Sequence, residues 1–142
     1  MRKFRFWIPV IFQAGFIFWL SSIPGNEFPR FLFWPGILPD FIARNPDKIV
    51  HGILYAFLGW FCLHAVARGT SIRFPYAAIL AFALASAYGA TDEWHQLFVP
   101  HRSCDVYDWV ADSTGSLLAI LLLYRFYSPH STTLPSSERK PT

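Results

Sequence analysis

The sequence contains little charge for its length. Charged side chains make up 15% of the 142 residues, against roughly 25% in an average soluble domain. Hydrophobic side chains make up 54%. A soluble domain of this size cannot hide that excess, because small domains keep much of their surface exposed to solvent. A lipid-facing exterior accommodates it, so the composition indicates a membrane protein with membrane lipid as its surroundings.

Cysteine is also scarce, and other features that would signal a cofactor or nucleic acid are missing. Cys62 and Cys104 are predicted at different depths of the membrane, which excludes a disulfide bond between them and a thiolate metal site. The net charge is +3, but the basic residues are spread over loops and termini, so we expect no nucleic-acid partner. Without a spacing such as H-E-x-x-H we expect no metal and no other cofactor.

Four apolar segments are long enough to cross a bilayer as helices. They cover about residues 6–20, 47–66, 75–97 and 107–126. The predicted fold class is therefore all-α, a small polytopic bundle of four transmembrane helices in one domain over residues 1–127. Residues 128–142 contain mainly Ser, Thr, Pro and charged residues, a composition typical of a disordered tail.

The first segment also resembles a signal peptide, because a basic start precedes a short apolar run. No small-x-small cleavage site follows it, so we favour an uncleaved first helix. Residues 21–46 are too polar and too rich in Pro and Gly to span the membrane. We expect them to form a loop or re-entrant segment at the interface, with Trp34 and several Phe residues at headgroup level.

The distribution of Lys and Arg predicts the orientation. With the N-terminus inside, eight of the twelve basic residues fall on the inner side and four on the outer side. This excess favours an N-in, C-in topology in the cytoplasmic membrane. The same topology collects most acidic residues in a polar cluster on the outer face.

Small residues recur every four positions on the third and fourth helices. They are Ala81, Ala85 and Gly89 on the third, and Ala111, Gly115 and Ala119 on the fourth. Such stripes let helix backbones approach closely in lipid. We therefore expect a tight pair between the third and fourth helices.

The stretch from Asp92 to Gly115 holds five of the nine acidic residues between two apolar helices. On the second helix, Lys48, His51 and Tyr55 share one face. Asp112 is predicted a full turn inside the membrane, where an ionisable group is expected to face the bundle interior and to have a partner.

These residues closely resemble a family pattern. It consists of D-K-x-x-H-x-x-x-Y at Asp47–Tyr55, D-E-x-x-Q at Asp92–Gln96 and P-x-R at Pro100–Arg102, then Asp108 and Gly115. Together they resemble the VanZ-like membrane proteins over nearly the whole chain. The resemblance implies a membrane protein without an established biochemical activity, with a link to low-level resistance to the glycopeptide teicoplanin in the name-giving member.

Two positions depart from that pattern. His101 stands where the family commonly has Gly, and Asp112 stands where it commonly has Asn. Asp112 is therefore expected to be protonated or paired. On the sequence alone, Asp112→Asn, which restores the family residue, is expected to change little.

Ten residues are candidates for a site. The catalytic candidates are Asp92, Glu93, His51 and Asp108, and the ligand-binding candidates are Asp47, Lys48, Tyr55, Gln96, Arg102 and Asp112. Carboxylates and His can act as general bases or hold a divalent ion, and Lys and Arg can bind a phosphate or carboxylate. The alternative is a salt-bridge network, Asp47–Lys48 and Asp108–Arg102, that only holds the helix ends together.

Three functions fit these residues. The first is binding or modulation of a cell-envelope lipid or glycopeptide at the outer interface. The second is a small membrane hydrolase or transferase that acts on a phosphorylated or acylated envelope lipid. The third is a subunit that works only as an oligomer; the sequence leaves the oligomeric state open, and it shows no internal repeat of the kind found in transporters.

Overall fold

The computed structural model describes residues 3–27 and 46–127. After a 3-10 turn at Phe4–Phe6, these residues form four α-helices. They are α1 (Ile8–Ser21), α2 (Pro46–Gly69), α3 (Phe74–Gln96) and α4 (Val106–Tyr127). Each of these helices, α1 together with the preceding 3-10 turn, is long and apolar enough to cross a membrane. The all-α prediction is confirmed, with helix ends within three residues of those expected. The chain is a membrane protein.

Residues 28–45, which include most of the expected interfacial segment, and the tail at 128–142 lie outside the described residues. The described part of the first connection, residues 22–27, forms turns after α1. Its backbone contacts the α3–α4 connection, because the amide of Gly25 donates a hydrogen bond to the carbonyl of Pro100 at 3.1 Å.

Local signals in the sequence fix where the helices begin and end. Asp105 caps the start of α4, since its carboxylate accepts a hydrogen bond from the Tyr107 amide at 2.9 Å, as acidic N-cap residues do. Pro75 occupies the first turn of α3, where its missing N–H has no partner to lose. At the end of α2, the Thr70 hydroxyl donates to the Val66 carbonyl at 2.7 Å. The short connections after α2 and α3 make α2, α3 and α4 run in alternating directions.

The most extensive helix contact joins α2 and α4, which run in the same direction. Gly115 of α4 lies directly against the backbone of Gly52 of α2. About two turns further along α2, Gly59 lies against Ser116 so closely that a Cβ there would come within 2.8 Å of it. The glycines of α2 are what allow this approach.

The predicted pairing of the third and fourth helices was therefore incomplete. Helices α3 and α4 do pack together, and Gly89 lies against Asp112. Ala81, Ala85 and Gly89 are all buried, as the small-residue stripe predicted. However, α2 occupies the centre of the bundle and contacts each of the other three helices.

The bundle buries a small apolar core and leaves a wide apolar exterior. Tyr55, Leu58 and Leu63 of α2 lie in the core. Large apolar side chains point outward, among them Phe12 at 74% exposure and Leu122 at 71%. An exterior of this kind is stable in lipid, where helices satisfy their own backbone hydrogen bonds.

We expect Gly115→Ala to destabilise the bundle, because the added methyl group would collide with the backbone of Gly52. Overpacking of this kind costs roughly 1–3 kcal/mol. The measurement is the thermal unfolding midpoint in detergent. The control is Gly15→Ala in α1, where a Cβ would meet no atom within 4 Å. Equal midpoints for the two variants would contradict the close contact.

Candidate functional site

One end of the bundle collects the polar side chains. At this end, which we name the polar end, α1 and α3 finish and α2 and α4 begin. All ten residues predicted from the sequence belong to it or to the turns beside it. Five of them are buried acidic or histidine side chains, namely His51, Asp92, Glu93, Asp108 and Asp112. The fold therefore brings residues far apart in the chain into one place.

Lys48 joins the starts of α2 and α4. Its Nζ lies 2.7 Å from Asp108 Oδ1 and 2.8 Å from Asp105 Oδ2. A weaker contact of 3.5 Å reaches Asp47 on its own helix. Asp105 is also tied to α3, because its backbone N–H donates to Glu93 Oε2 at 2.8 Å. One cation thus connects two helix starts, and Asp105 connects them to the end of a third.

His51 pairs with Asp112 inside the bundle. The distance from His51 Nδ1 to Asp112 Oδ1 is 2.9 Å, and Asp112 has no solvent exposure. The prediction that Asp112 needs a partner is confirmed, and the partner is His51. A carboxylate beside an imidazole fixes the orientation of the ring and its tautomer, an arrangement used in general-base catalysis and around metal ions.

Several polar atoms at this end are buried without a hydrogen-bond partner among the residues that the structure describes. They are both carboxylate oxygens of Asp92, one oxygen each of Glu93 and Asp112, the Gln96 amide nitrogen and the Tyr55 hydroxyl. Burying such groups without partners is unfavourable, and most buried polar atoms in proteins have one. Their concentration in one place points to a ligand.

The charges at the polar end are also unbalanced. Among the described residues, seven carboxylates lie there, from Glu27, Asp47, Asp92, Glu93, Asp105, Asp108 and Asp112. The permanent cations of the described residues at this end are Lys48 and Arg102. Uncompensated charges are expensive at membrane depth. A positively charged or hydrogen-bond-donating ligand would reduce this excess.

A cavity of about 330 Å³ opens among these residues. Seven of the ten predicted residues line it, namely Asp47, His51, Tyr55, Asp92, Gln96, Arg102 and Asp108. Lys48, Glu93 and Asp112 are not among the lining residues. Apolar side chains complete the wall, among them Ile17 and Leu20 of α1 and Leu54 of α2.

Sequence reasoning missed the contribution of α1 and left Asp105 off the list of candidates. Leu20, Ser21 and Gly25 line the cavity, but apolar and small residues in a first helix and the turn after it give no signal of this in the sequence. The spacing of Asp105, Asp108 and Asp112 on one helical face was the signal that could have added Asp105 to the list.

Arg102 ties the α3–α4 connection to the end of α1. Its Nε donates to the Ile23 carbonyl at 3.2 Å, and Nη2 lies 3.5 Å from the Leu20 carbonyl. Burial lowers the pKa of the Arg102 guanidinium from its ordinary value, while nearby carboxylates, Asp92 first, act in the opposite direction. The group remains charged, since arginine is not deprotonated in proteins. Arg102 is thus a half-buried cation at the cavity wall.

His101 adopts a backbone conformation that favours glycine. Its φ is 59°, in the left-handed region, and among non-glycine residues of the described chain it alone has a positive φ. The conformation is unfavourable for a residue with a Cβ by roughly 1–2 kcal/mol. Glycine would avoid this cost, which is a physical reason for the Gly that the family commonly has at this position.

A second cavity, of about 250 Å³, lies between α1 and α3. Aromatic residues line most of it, among them Phe18, Trp94 and Phe98. Asp92 lines both cavities. The buried carboxylate therefore stands between an aromatic groove and the polar cavity.

The fold and the site define the class of this protein. It is an all-helical membrane protein with a polar cavity at one end of a four-helix bundle. A family model described as VanZ/LLP1 matches residues 6–127, so the chain belongs to that family. The resemblance seen in the sequence is confirmed. No curated protein matches the chain, and no solved structure does so either.

The Lys48–Asp105 pair should make stability depend on pH. The hydrogen bond from Lys48 holds the pKa of the Asp105 carboxyl below its ordinary value of 3.8. A lowered pKa means that the pair stabilises the fold above the ordinary pKa and that this contribution is lost as pH falls through the lowered value. We expect Asp105→Asn, which keeps a helix cap, to lower the unfolding midpoint at pH 6 by roughly 1–3 °C.

The check is a series of unfolding midpoints in detergent from pH 6 down to about 3. The difference between the wild-type protein and Asp105→Asn should shrink as the carboxyl becomes protonated. A difference that stays constant over this range would show that charge at Asp105 is not what stabilises the bundle.

Proposed function

We propose that this VanZ/LLP1 protein binds the polar head group of a cell-envelope lipid in the cavity at the polar end. The observation that carries the proposal is the placement of Asp92. Its side chain is 4% exposed and both carboxylate oxygens are buried without a partner among the described residues, yet it lines the cavity together with Arg102. A carboxylate in this state favours a ligand that donates hydrogen bonds.

The charges indicate the chemistry of the head group. Arg102 favours an anionic group such as a phosphate, whereas Asp92 favours an ammonium or hydroxyl group. A head group that carries both, a phosphate followed by an amine or by hydroxyl groups, fits better than a bare phosphate. Because these two charges on the cavity wall have opposite signs, they also define the orientation in which a head group binds.

The size of the cavity supports a lipid head group over a glycopeptide. A volume of about 330 Å³ is at the lower end of ordinary small-molecule sites, roughly 300–1,000 Å³. It accommodates a head group, but only part of a glycopeptide. The apolar wall residues Ile17 and Leu54 would contact the first atoms of the lipid chain. A link to glycopeptide resistance would then be indirect, through the lipid that is bound.

A second candidate function is hydrolysis or group transfer on such a lipid, and the His51–Asp112 pair favours it. His51 lines the cavity, and Asp112 at 2.9 Å orients its ring. A positioned imidazole within reach of a bound phosphate or ester is suited to general-base catalysis. In this case His51 would take a proton from the attacking water or alcohol.

We expect head-group binding to depend on Asp92 and Arg102. The probes are lipid nanodiscs that contain phosphatidylethanolamine, phosphatidylglycerol or phosphatidic acid, and native mass spectrometry counts the lipids retained. Retention should be higher for the first two, which carry donor groups, than for phosphatidic acid. Asp92→Asn and Arg102→Gln should each reduce affinity by roughly tenfold or more, since hydrogen bonds to charged groups contribute about 1.5–3 kcal/mol.

Glu27→Gln is the matched control, because it removes an exposed carboxylate at the same end of the bundle. Unchanged retention in Asp92→Asn and Arg102→Gln would contradict the binding proposal. Mass spectrometry of envelope lipids from cells with and without the protein tests the second candidate. A lipid species that appears or disappears only when His51 is intact would identify an enzyme.

We further propose that the polar end faces the outside of the cytoplasmic membrane, with both termini inside. Eight of the twelve basic residues support this orientation. Cys104 is exposed at the polar end, whereas Cys62 is buried. A membrane-impermeant maleimide should therefore label Cys104 in intact cells. Cys104→Ser should abolish the labelling, and labelling seen only after lysis would mean the opposite orientation.

A further inference from the structure

Three potential metal ligands from three helices meet behind the cavity wall. His51 of α2, Glu93 of α3 and Asp112 of α4 each offer one ligand atom, and these atoms all lie within 4.8 Å of one another. The side chains are buried, with relative exposures of 9%, 3% and 0%. Each ligand comes from a different helix, so no local spacing in the sequence could reveal the set.

Among the described residues, each of the two carboxylates uses only one of its oxygens in a hydrogen bond. Asp112 Oδ1 is bonded to His51 and Glu93 Oε2 accepts from the Asp105 amide. Asp112 Oδ2 and Glu93 Oε1 are buried without a hydrogen-bond partner among the described residues. Both carboxylates are therefore held in place through one oxygen while the other is available to a ligand.

The charge of the group matches a divalent cation. With both carboxylates ionised and the imidazole neutral, the state in which all three side chains can bind a metal, the group carries a charge of −2. Lys48 is already bonded to Asp108 and Asp105 at 2.7 and 2.8 Å. A bound dication would neutralise the charges of Glu93 and Asp112, since a buried charge is favourable only when it is compensated.

We propose that His51, Glu93 and Asp112 bind a divalent transition-metal ion of the zinc or manganese class. The imidazole favours such ions over Mg²⁺ and Ca²⁺, which prefer oxygen ligands alone. Bonds of about 2.0–2.2 Å would bring the three ligand atoms to roughly 3.3 Å from one another in a tetrahedral site. Rotation of the Glu93 and Asp112 side chains would have to supply this change. Three protein ligands leave one position open, as in catalytic zinc sites.

The proposed metal site depends on a residue at which this chain departs from the family pattern. Asp112 occupies the position where VanZ-like proteins commonly have Asn, and the structure places this extra carboxylate against His51. The inference reverses the expectation from the sequence that Asp112→Asn changes little. It also gives His51 the role of a ligand, so that an ion at this site would border the cavity that His51 lines.

The test is metal binding by the purified full-length protein in detergent. After treatment with a chelator, Zn²⁺, Mn²⁺ and Mg²⁺ are titrated separately, and bound metal is counted by elemental analysis. We expect one Zn²⁺ or Mn²⁺ per chain and no saturable Mg²⁺ binding. Asp112→Asn and Glu93→Gln should each weaken binding by at least tenfold, because each removes one ligand charge while keeping the shape of the side chain. Glu27→Gln and Cys104→Ser should bind as the wild type does.

A spectroscopic measurement keeps the test valid if a variant is poorly folded. Co²⁺ in the wild-type site should give visible d–d absorption, which Zn²⁺ displaces. In the Cys104→Ser background, His51→Cys should add a thiolate-to-cobalt charge-transfer band, which arises only if residue 51 is a ligand.

Absence of bound metal in the wild-type protein would overturn the proposal, as would equal affinity in Asp112→Asn. Metal retained by the wild type but lost in Cys104→Ser would overturn it too, because the ion would then belong to the surface thiol. The metal titration uses no lipid head group as a probe, and the nanodisc measurement of lipid binding is repeated in the presence of a chelator. Failure of metal binding is thus distinguished from failure of lipid binding.

Discussion

The bundle depends on charge compensation at the starts of α2 and α4. These two helices run in the same direction, so their positive dipole ends lie side by side and repel. Asp105 and Asp108 place carboxylates at the start of α4, and Lys48 bonds to both at 2.8 and 2.7 Å. This arrangement lets the glycine faces of α2 and α4 come into backbone contact. The remaining helices pack around that pair.

The architecture was predictable from the sequence because its signals are local. Runs of apolar residues set the four helices, and Pro46, Pro75 and Asp105 mark three of the starts. The polar end was predictable for the same reason, since its residues recur at helical spacing. Residues 28–45 and 128–142 lie outside the described structure, so the interfacial segment and the tail remain predictions.

What the sequence could not provide was the pairing between helices. The salt-bridge alternative paired Lys48 with Asp47 and Asp108 with Arg102. The shorter contacts of Lys48 are instead to Asp105 and Asp108. The His51–Asp112 pair and the place of Glu93 beside it depend on the rotation of three helices about their axes. The expectation of no metal rested only on the spacing of ligands along the sequence. That criterion cannot detect ligands that come from three different helices.

The unequal packing of α1 has a consequence for how a ligand reaches the cavity. α1 contacts α2 and α3 far less extensively than α2 contacts α4, yet Ile17, Leu20 and Ser21 of α1 form one wall of the cavity. Displacing α1 would break the hydrogen bonds that Arg102 donates at the end of this helix, but it would leave the α2–α4 pair intact. If the ligand is the lipid proposed above, its path into the cavity runs sideways from the bilayer, between α1 and α3, along the aromatic groove that Asp92 borders. Binding would then depend on lateral diffusion of the lipid rather than on its concentration in water.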